Sequence, residues 1–375
     1  MFFLVNSNIL IDVRRVLSSN FRKYDGVNRW VLLTLSVVGT ICACSSKGPK
    51  VPSVEGFTAV TVVQRFDRDF FALDTNRLEP ALDLLQQKYP EFLGGFLATI
   101  LGVNPTSPDA LLAIKAFIGS YGQLQQQVEQ SVAPTIPKLQ TQVALGLKLM
   151  QYYCPGYRPD SPFVLTTFVG PMDAYEPFAT GDYGEVATAN GAGVALQLHL
   201  GAKAAVYEQG VKSGAMYSYQ IRRFTPETMV VNVMKNVVNE AFPYPNNNSL
   251  NLVEEMVEKG KHLYLLQRLL PYTPDSLLLG YTHAQWQGCE ANEALIWNFF
   301  VKNDLLYASE PQITQNYLKD GPKTPELGEG APGYIGLFVG KKIVEAYMAK
   351  FADTPVPKLM RLPAAQLFQA AGYKP

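Results

Sequence analysis

The sequence predicts a predominantly helical α+β fold, a single domain carrying a small sheet. Three observations predict it. Apolar residues recur at three- and four-residue spacing through much of the C-terminal half, as in Met229, Val230, Val233, Met234, Val237 and Val238. Alternating apolar and polar runs are few and short. No repeat, low-complexity run or linker divides residues 57–375, and a 47% hydrophobic chain has enough apolar surface for one sizeable core.

Taken in order, residues 57–66 (FTAVTVVQRF) alternate and predict a strand. Leu78, Leu82 and Leu85 repeat with helical spacing before Tyr89-Pro90 interrupts them, which predicts two short helices over 77–103. Residues 108–152 predict helix with a break at Pro134 and Pro137. Residues 163–169 and 194–200 read as strands, and the Gly- and Ala-rich stretch 181–193 between them reads as loops. Thr225-Pro226-Glu227 offers a capping hydroxyl, a first-turn proline and an acid near the positive helix end, so a helix is expected from there to Pro243. A second is expected from Ser249 to Pro271, and a third from Ala284 to Leu306.

The first 43 residues read as an address. Trp30 to Ile41 is an uncharged apolar run of about a dozen residues behind Arg22, Lys23 and Arg29, shorter than the roughly 20 needed to span a bilayer. Ile41-Cys42-Ala43-Cys44-Ser45 then resembles a bacterial lipobox. That resemblance makes Cys44 the lipid-attachment residue, and Cys42 is disfavoured because Ile41 would stand where a small residue is required. Residues 1–26 are expected to reflect a misassigned translation start, since a compact signal begins near Val27. Residues 44–56 form a Ser/Gly/Pro-rich tether reaching at most ~40 Å, and 57–375 form the folded domain.

Charge narrows the function. Lys+Arg and Asp+Glu both number 32. Residues 1–43 hold five of the former (Arg14, Arg15, Arg22, Lys23, Arg29) and two of the latter (Asp12, Asp25), which leaves 27 basic against 30 acidic residues. Nucleic-acid binding needs a basic footprint that this chain lacks. Membrane association is expected from the lipid alone.

Several phrases recur in a characteristic order: Arg65-Phe66-Asp67-Arg68-Asp69-Phe70-Phe71, Tyr89-Pro90-Glu91-Phe92, Arg223-Phe224-Thr225-Pro226-Glu227, Gly260-Lys261-His262-Leu263-Tyr264, Gly280-Tyr281-Thr282, Asn292 to Trp297, Gly336 to Val344 and the closing Tyr373-Lys374-Pro375. With the lipobox, they resemble the gliding-motility lipoprotein GldB family of the Bacteroidota over nearly the whole mature chain. The resemblance implies a periplasm-facing envelope lipoprotein that serves motility and the type IX secretion machinery through protein partners, without catalysis or a cofactor. The family is similar in turn to predicted zinc peptidases bearing HExxH, so the resemblance also implies a degenerate form of that fold. The comparable helix end here reads Val238-Asn239-Glu240-Ala241-Phe242-Pro243, which keeps Glu240 and replaces both metal-binding histidines by Asn239 and Pro243. Glu258, the residue a third ligand would be, could not hold zinc alone. Two departures stand out: an acid is expected within 194–201, where Gln197 and His199 stand, and a basic residue is expected at Tyr334.

Other chemistry is weaker. A three-histidine site would need His199, His262 and His283 to converge from separate elements. Gly119-Ser120 and Ser213-Gly214 lack the strand–turn–helix context of a serine nucleophile. Cys154 and Cys289 could pair outside the cytoplasm, though sequence says nothing of their proximity. Gly336-x-x-x-Gly340-Lys341 lacks phosphate-loop spacing and reads as close helix packing. Glu293 and Trp297 on one helix face, and Lys261 with Tyr264, are candidate groove residues, with core packing as the competing reading. Alternatives to a non-catalytic role are a zinc-dependent peptidase-like envelope hydrolase, or a glycan- or small-ligand-binding lipoprotein suited by 20 tyrosines.

Overall fold

The computed structural model describes residues 51–375 except 105, 160–161, 173–183 and 246–249. The signal region, Cys44, the start of the tether, the front of the glycine-rich stretch and Ser249 lie outside the described residues. Residues 51–375 cluster as one unit.

Strand β1 (Thr61–Gln64) is shorter than the expected 57–66. Arg65 ends it, because its guanidinium turns to Asp67, 2.9 Å from Nε, and to Glu129. Phe66 then opens helix α1 (Phe66–Phe71). Its ring lies 4.8–5.1 Å from those of Tyr89, Phe92 and Phe96, so burying these edge-to-face aromatic contacts outweighs extension of the strand. Helix α2 (Leu78–Lys88) follows, and Leu93–Gly95 runs into a π-helical turn at Phe96–Ile100. Helices α3 (Ala110–Ser131) and α4 (Ile136–Tyr153) are separated by a 3₁₀ turn at Ala133–Thr135, where the prolines predict the break.

Strand β2 (Phe163–Phe168) is buried throughout. The stretch expected to be loops carries β3 (Glu185–Thr188) and the start of β4 (Gly191–Ala195), and 196–198 is a 3₁₀ turn instead of strand. The glycines that suggest a loop are what the sheet requires: a side chain at Gly191 would come within 2.1 Å of the Val164 carbonyl on β2. The sheet order is β1-β2-β4-β3, parallel except for the β3–β4 hairpin. One face, with Phe163, Leu165 and Val194, packs on the main core, and the other turns Phe168 to the aromatic cluster of Phe66 and Phe96.

The rest is helical: α5 (Ala205–Ser213), α6 (Ser218–Ile221), α7 (Pro226–Ala241), α8 (Leu252–Leu269), α9 (Asp275–Leu279), α10 (His283–Ala291), α11 (Glu293–Lys302), α12 (Pro311–Leu318), α13 (Ile335–Lys350), α14 (Val356–Arg361) and α15 (Ala364–Ala371). Thr225 precedes α7 as expected, yet its hydroxyl makes no capping bond. Asn251 caps α8 in a reciprocal box with Glu254. The single helix expected from Ala284 to Leu306 is broken at Asn292, whose amide donates to the Gly288 carbonyl at 2.8 Å and competes with the helical ladder. At the centre α8 crosses α13 through Gly260 and Gly340, where backbones touch.

Candidate functional site

Helix α7 is apolar on most sides, but Thr228, Asn232, Lys235 and Asn239 recur at i, i+4, i+7 and i+11 and form one polar stripe. That stripe is one wall of a cleft. The facing wall is α8, through Lys259, His262, Leu263 and Leu266, and Leu277, Leu279 and Leu337 complete the apolar part.

One end is built tightly around Arg223. Its Nε and that of Arg222 lie 3.3 and 3.1 Å from the Gly280 carbonyl and donate to it. A second Arg223 nitrogen binds Asp320, and the guanidinium sits 5.4 Å from the centre of the Tyr334 ring. Tyr334 holds a left-handed backbone (φ 60°), a conformation costing on the order of 1–3 kcal/mol in a non-glycine residue. Tyr281 secures it by donating its hydroxyl to the Tyr334 carbonyl at 2.9 Å.

Beneath the stripe lies a buried polar network. Glu185 on β3 receives Asn232 Nδ2 on Oε2 at 2.7 Å and faces His199 Nε2 with Oε1 at 2.6 Å, and Asn236 Nδ2 donates to its backbone carbonyl at 3.3 Å. Glu185 pairs with Val194 across the β3–β4 hairpin. Asn232 and Asn236 stand four apart on one helix face, the spacing a two-histidine metal motif uses, and both present N–H donors there. Thr228, His199 and Glu185 outline a hydroxyl–imidazole–carboxylate series, with Thr228 Oγ1 3.2 Å from His199 Nδ1. Their protons run the wrong way for nucleophilic catalysis. Nδ1 lies 3.0 Å from the Thr225 carbonyl, which only accepts, so Nδ1 carries hydrogen and is no base for Thr228. The Thr228 hydroxyl donates instead to the Arg223 or Thr225 carbonyl, each 2.7 Å away.

At the other end His262 is 8% exposed, and its Nε2 donates to the Phe242 carbonyl at 2.7 Å. Nδ1 is therefore an acceptor, and it has no hydrogen-bond partner. Burial holds the imidazole pKa down at about 4, against the pull of the Phe242 carbonyl, and Lys261 and Lys259 lower it further. Tyr244 stands edge-on to the ring at 3.9 Å, with Lys259 5.0 Å from the Tyr244 ring.

The residues singled out in the sequence do not converge. Asn239 lines the cleft, but Glu240 is exposed outside it and Pro243 lies beyond the end of α7. Glu258 borders a neighbouring depression and binds Lys261 at 2.7 Å. The groove reading of Lys261, Tyr264, Glu293 and Trp297 is corrected to packing. Lys261 is buried and donates to the Met360 and Leu362 carbonyls at 3.1 and 3.0 Å, a strut to the end of the chain. Tyr264 is buried beside Arg268. Glu293 binds Lys342 and accepts from the Tyr373 hydroxyl at 2.7 Å, while Trp297 packs on Phe368 and Tyr373. Cys154 and Cys289 are buried free thiols rather than a pair, with burial pushing them up to about 11 and about 12. His283 is exposed, and among the described residues no three His, Cys, Asp or Glu gather as a metal site would. Sequence reasoning passed over Lys235, Lys259, Asn232 and Glu185. The polar stripe along α7 is the signal that could have found the first and third.

A family model described as gliding motility protein GldB matches residues 47–375. Neither the curated proteins nor the solved structures contain a match to the chain. Among the described residues no helix is long and apolar enough to cross a membrane.

Proposed function

Because the chain belongs to the gliding motility protein GldB family, a lipoprotein family of the cell envelope, we propose that it is a non-catalytic component of the motility and type IX secretion machinery that binds a protein partner. In this reading Cys44 carries the lipid, the folded domain faces the periplasm, and the cleft between α7 and α8 receives part of the partner. The observation that carries it is the lining of the cleft. Among the described residues of the lining, Arg223, Lys235 and Lys259 stand with the amides of Asn232 and Asn239 beside a run of leucines, and no carboxylate or thiol is among them. Thr228, the one hydroxyl on the stripe, is committed to backbone carbonyls.

The test is recovery of the protein from cross-linked envelopes. A specific envelope protein is expected to co-purify with the wild type and to be reduced severalfold by the double variant Lys235→Gln/Lys259→Gln. Purified protein is expected to hold no zinc. Stoichiometric zinc that is lost on His262→Ala would replace this reading with a metallohydrolase.

A further inference from the structure

We propose that a second cleft, where α4, α7 and the turn before α9 meet, binds one neutral sugar ring of a glycan. It shares only Leu277 with the cleft between α7 and α8, and the inference stands apart from the reading of that cleft.

Three elements bring the site together. The start of α4 supplies Thr135, Lys138 and Gln142, whose spacing of three and four puts them on one helix face. The first turn of α7 supplies Glu227. The turn between α8 and α9 supplies Tyr272 and Thr273, and the Thr273 N–H closes it by donating to the Leu270 carbonyl at 3.0 Å. The space enclosed is about 140 Å³, which at ~30 Å³ per water is roughly four or five waters, the bulk of a single sugar ring.

The aromatic ring is the first argument. Tyr272 is 71% exposed, and among the described residues its ring meets no other ring and no cation. A pyranose offers a face of C–H groups, whose slightly positive hydrogens suit the negative face of an aromatic ring. The polar groups around the ring are the second argument. A sugar's hydroxyls each donate and accept, so they need both kinds of partner. Lys138 donates, Glu227 accepts, and the Gln142 amide and the Thr273 hydroxyl do both. The Thr135 hydroxyl gives its hydrogen to the Val132 carbonyl at 2.7 Å and is left as an acceptor. Lys138, Gln142 and Glu227 form no side-chain hydrogen bond or ion pair among the described residues, so all three are available.

Charge and shape exclude the competing ligands. One base and one acid line the cleft, so an anion would face Glu227 and a cation would face Lys138. A wholly apolar ligand would cover these polar groups and offer them no partner. A proline-rich peptide is held in a groove lined by several aromatic rings, whereas Tyr272 is the one aromatic residue among the described residues of this lining.

The experiment is saturation-transfer NMR on the full-length mature lipidated protein, in a detergent without a sugar headgroup. Cellotetraose, maltotetraose, mannotetraose and chitotetraose are titrated in turn, with decaproline as the peptide comparison. At least one tetrasaccharide is expected to receive saturation at its ring C–H protons. Tyr272→Ala is expected to weaken that binding about tenfold, the upper end of what one ring contact supplies. Tyr272→Phe keeps the ring face and is expected to retain binding, and Gln142→Ala is expected to weaken it severalfold. Tyr307→Ala, at an equally exposed tyrosine outside the cleft, serves as the control and is expected to change nothing. Both tyrosines are exposed, so their replacement leaves the core intact. Absence of saturation in all four tetrasaccharides overturns the assignment, as does binding that survives Tyr272→Ala or falls equally with Tyr307→Ala. Decaproline binding that depends on Tyr272, with no sugar bound, replaces the glycan by a peptide.

Discussion

At His262 the local environment makes a residue-scale prediction. Its imidazole titrates at about 4 in the folded protein against an ordinary value near 6.5. Between those two pH values the unfolded chain binds a proton that the folded chain refuses. Stability therefore falls as pH is lowered from 6.5 to 4 and levels off below, by up to about 3 kcal/mol at 1.36 kcal/mol per pKa unit. Urea unfolding at pH 7 and pH 4.5 reads this directly. The wild type is expected to lose more stability than His262→Gln over that interval, and identical losses would show that the imidazole is not held neutral. The Lys261 side chain beside it has the opposite character. Its charge is compensated by Glu258 and two backbone carbonyls, so it holds the C-terminal segment in place rather than addressing a ligand. Sequence placed both residues in one phrase. Only the direction each side chain takes from α8 separates a cleft residue from a strut.

Among the elements, the crossing of α8 and α13 is the closest helix approach, and it joins the helix that carries Lys259 and His262 to the one that carries Leu337. A Cβ at Gly340 would lie 1.8 Å from the Met256 carbonyl, and one at Gly260 would lie 2.2 Å from the Gly340 carbonyl. Both obstacles are backbone and cannot swing aside. Gly340→Ala is expected to cost about 3 kcal/mol or more, at the upper end of overpacking effects, because the helices must part along their length. Equilibrium denaturation checks it, with Gly330→Ala as a control in open space. A cost under about 1 kcal/mol would mean that the helices are not in contact there. The reading of Gly336 to Lys341 as close helix packing is thus supported at Gly340, and the same phrase carries Lys341, buried among Asp275, Glu345 and the Trp286 ring. The strand expectations fared less evenly. Phe163–Phe168 is strand as expected, whereas the β3–β4 hairpin hid in a stretch whose glycines mimic a loop.

For the whole molecule, the attachment proposed at Cys44 is expected to be separable from folding. Cys44 and its lipobox precede residues 51–375, which cluster as their own unit. Cys44→Ala is expected to move the protein from the membrane fraction to the soluble envelope fraction while leaving its thermal unfolding midpoint unchanged. Retention in the membrane after that change would assign anchoring to another feature. The sequence by itself determined the helical α+β class, the helices expected from Thr225 and from Ser249, and the family. Those properties depend on local periodicity, capping chemistry and the linear order of motifs. It also contained the stripe Thr228, Asn232, Lys235, Asn239, because helical spacing alone puts those residues on one face. Tertiary structure alone decided what that face meets. Glu185 reaches Asn232 from 47 positions away, and Tyr334 reaches Arg223 from 111. Such contacts are set by helix crossings and sheet register, which bring together segments that no local pattern relates.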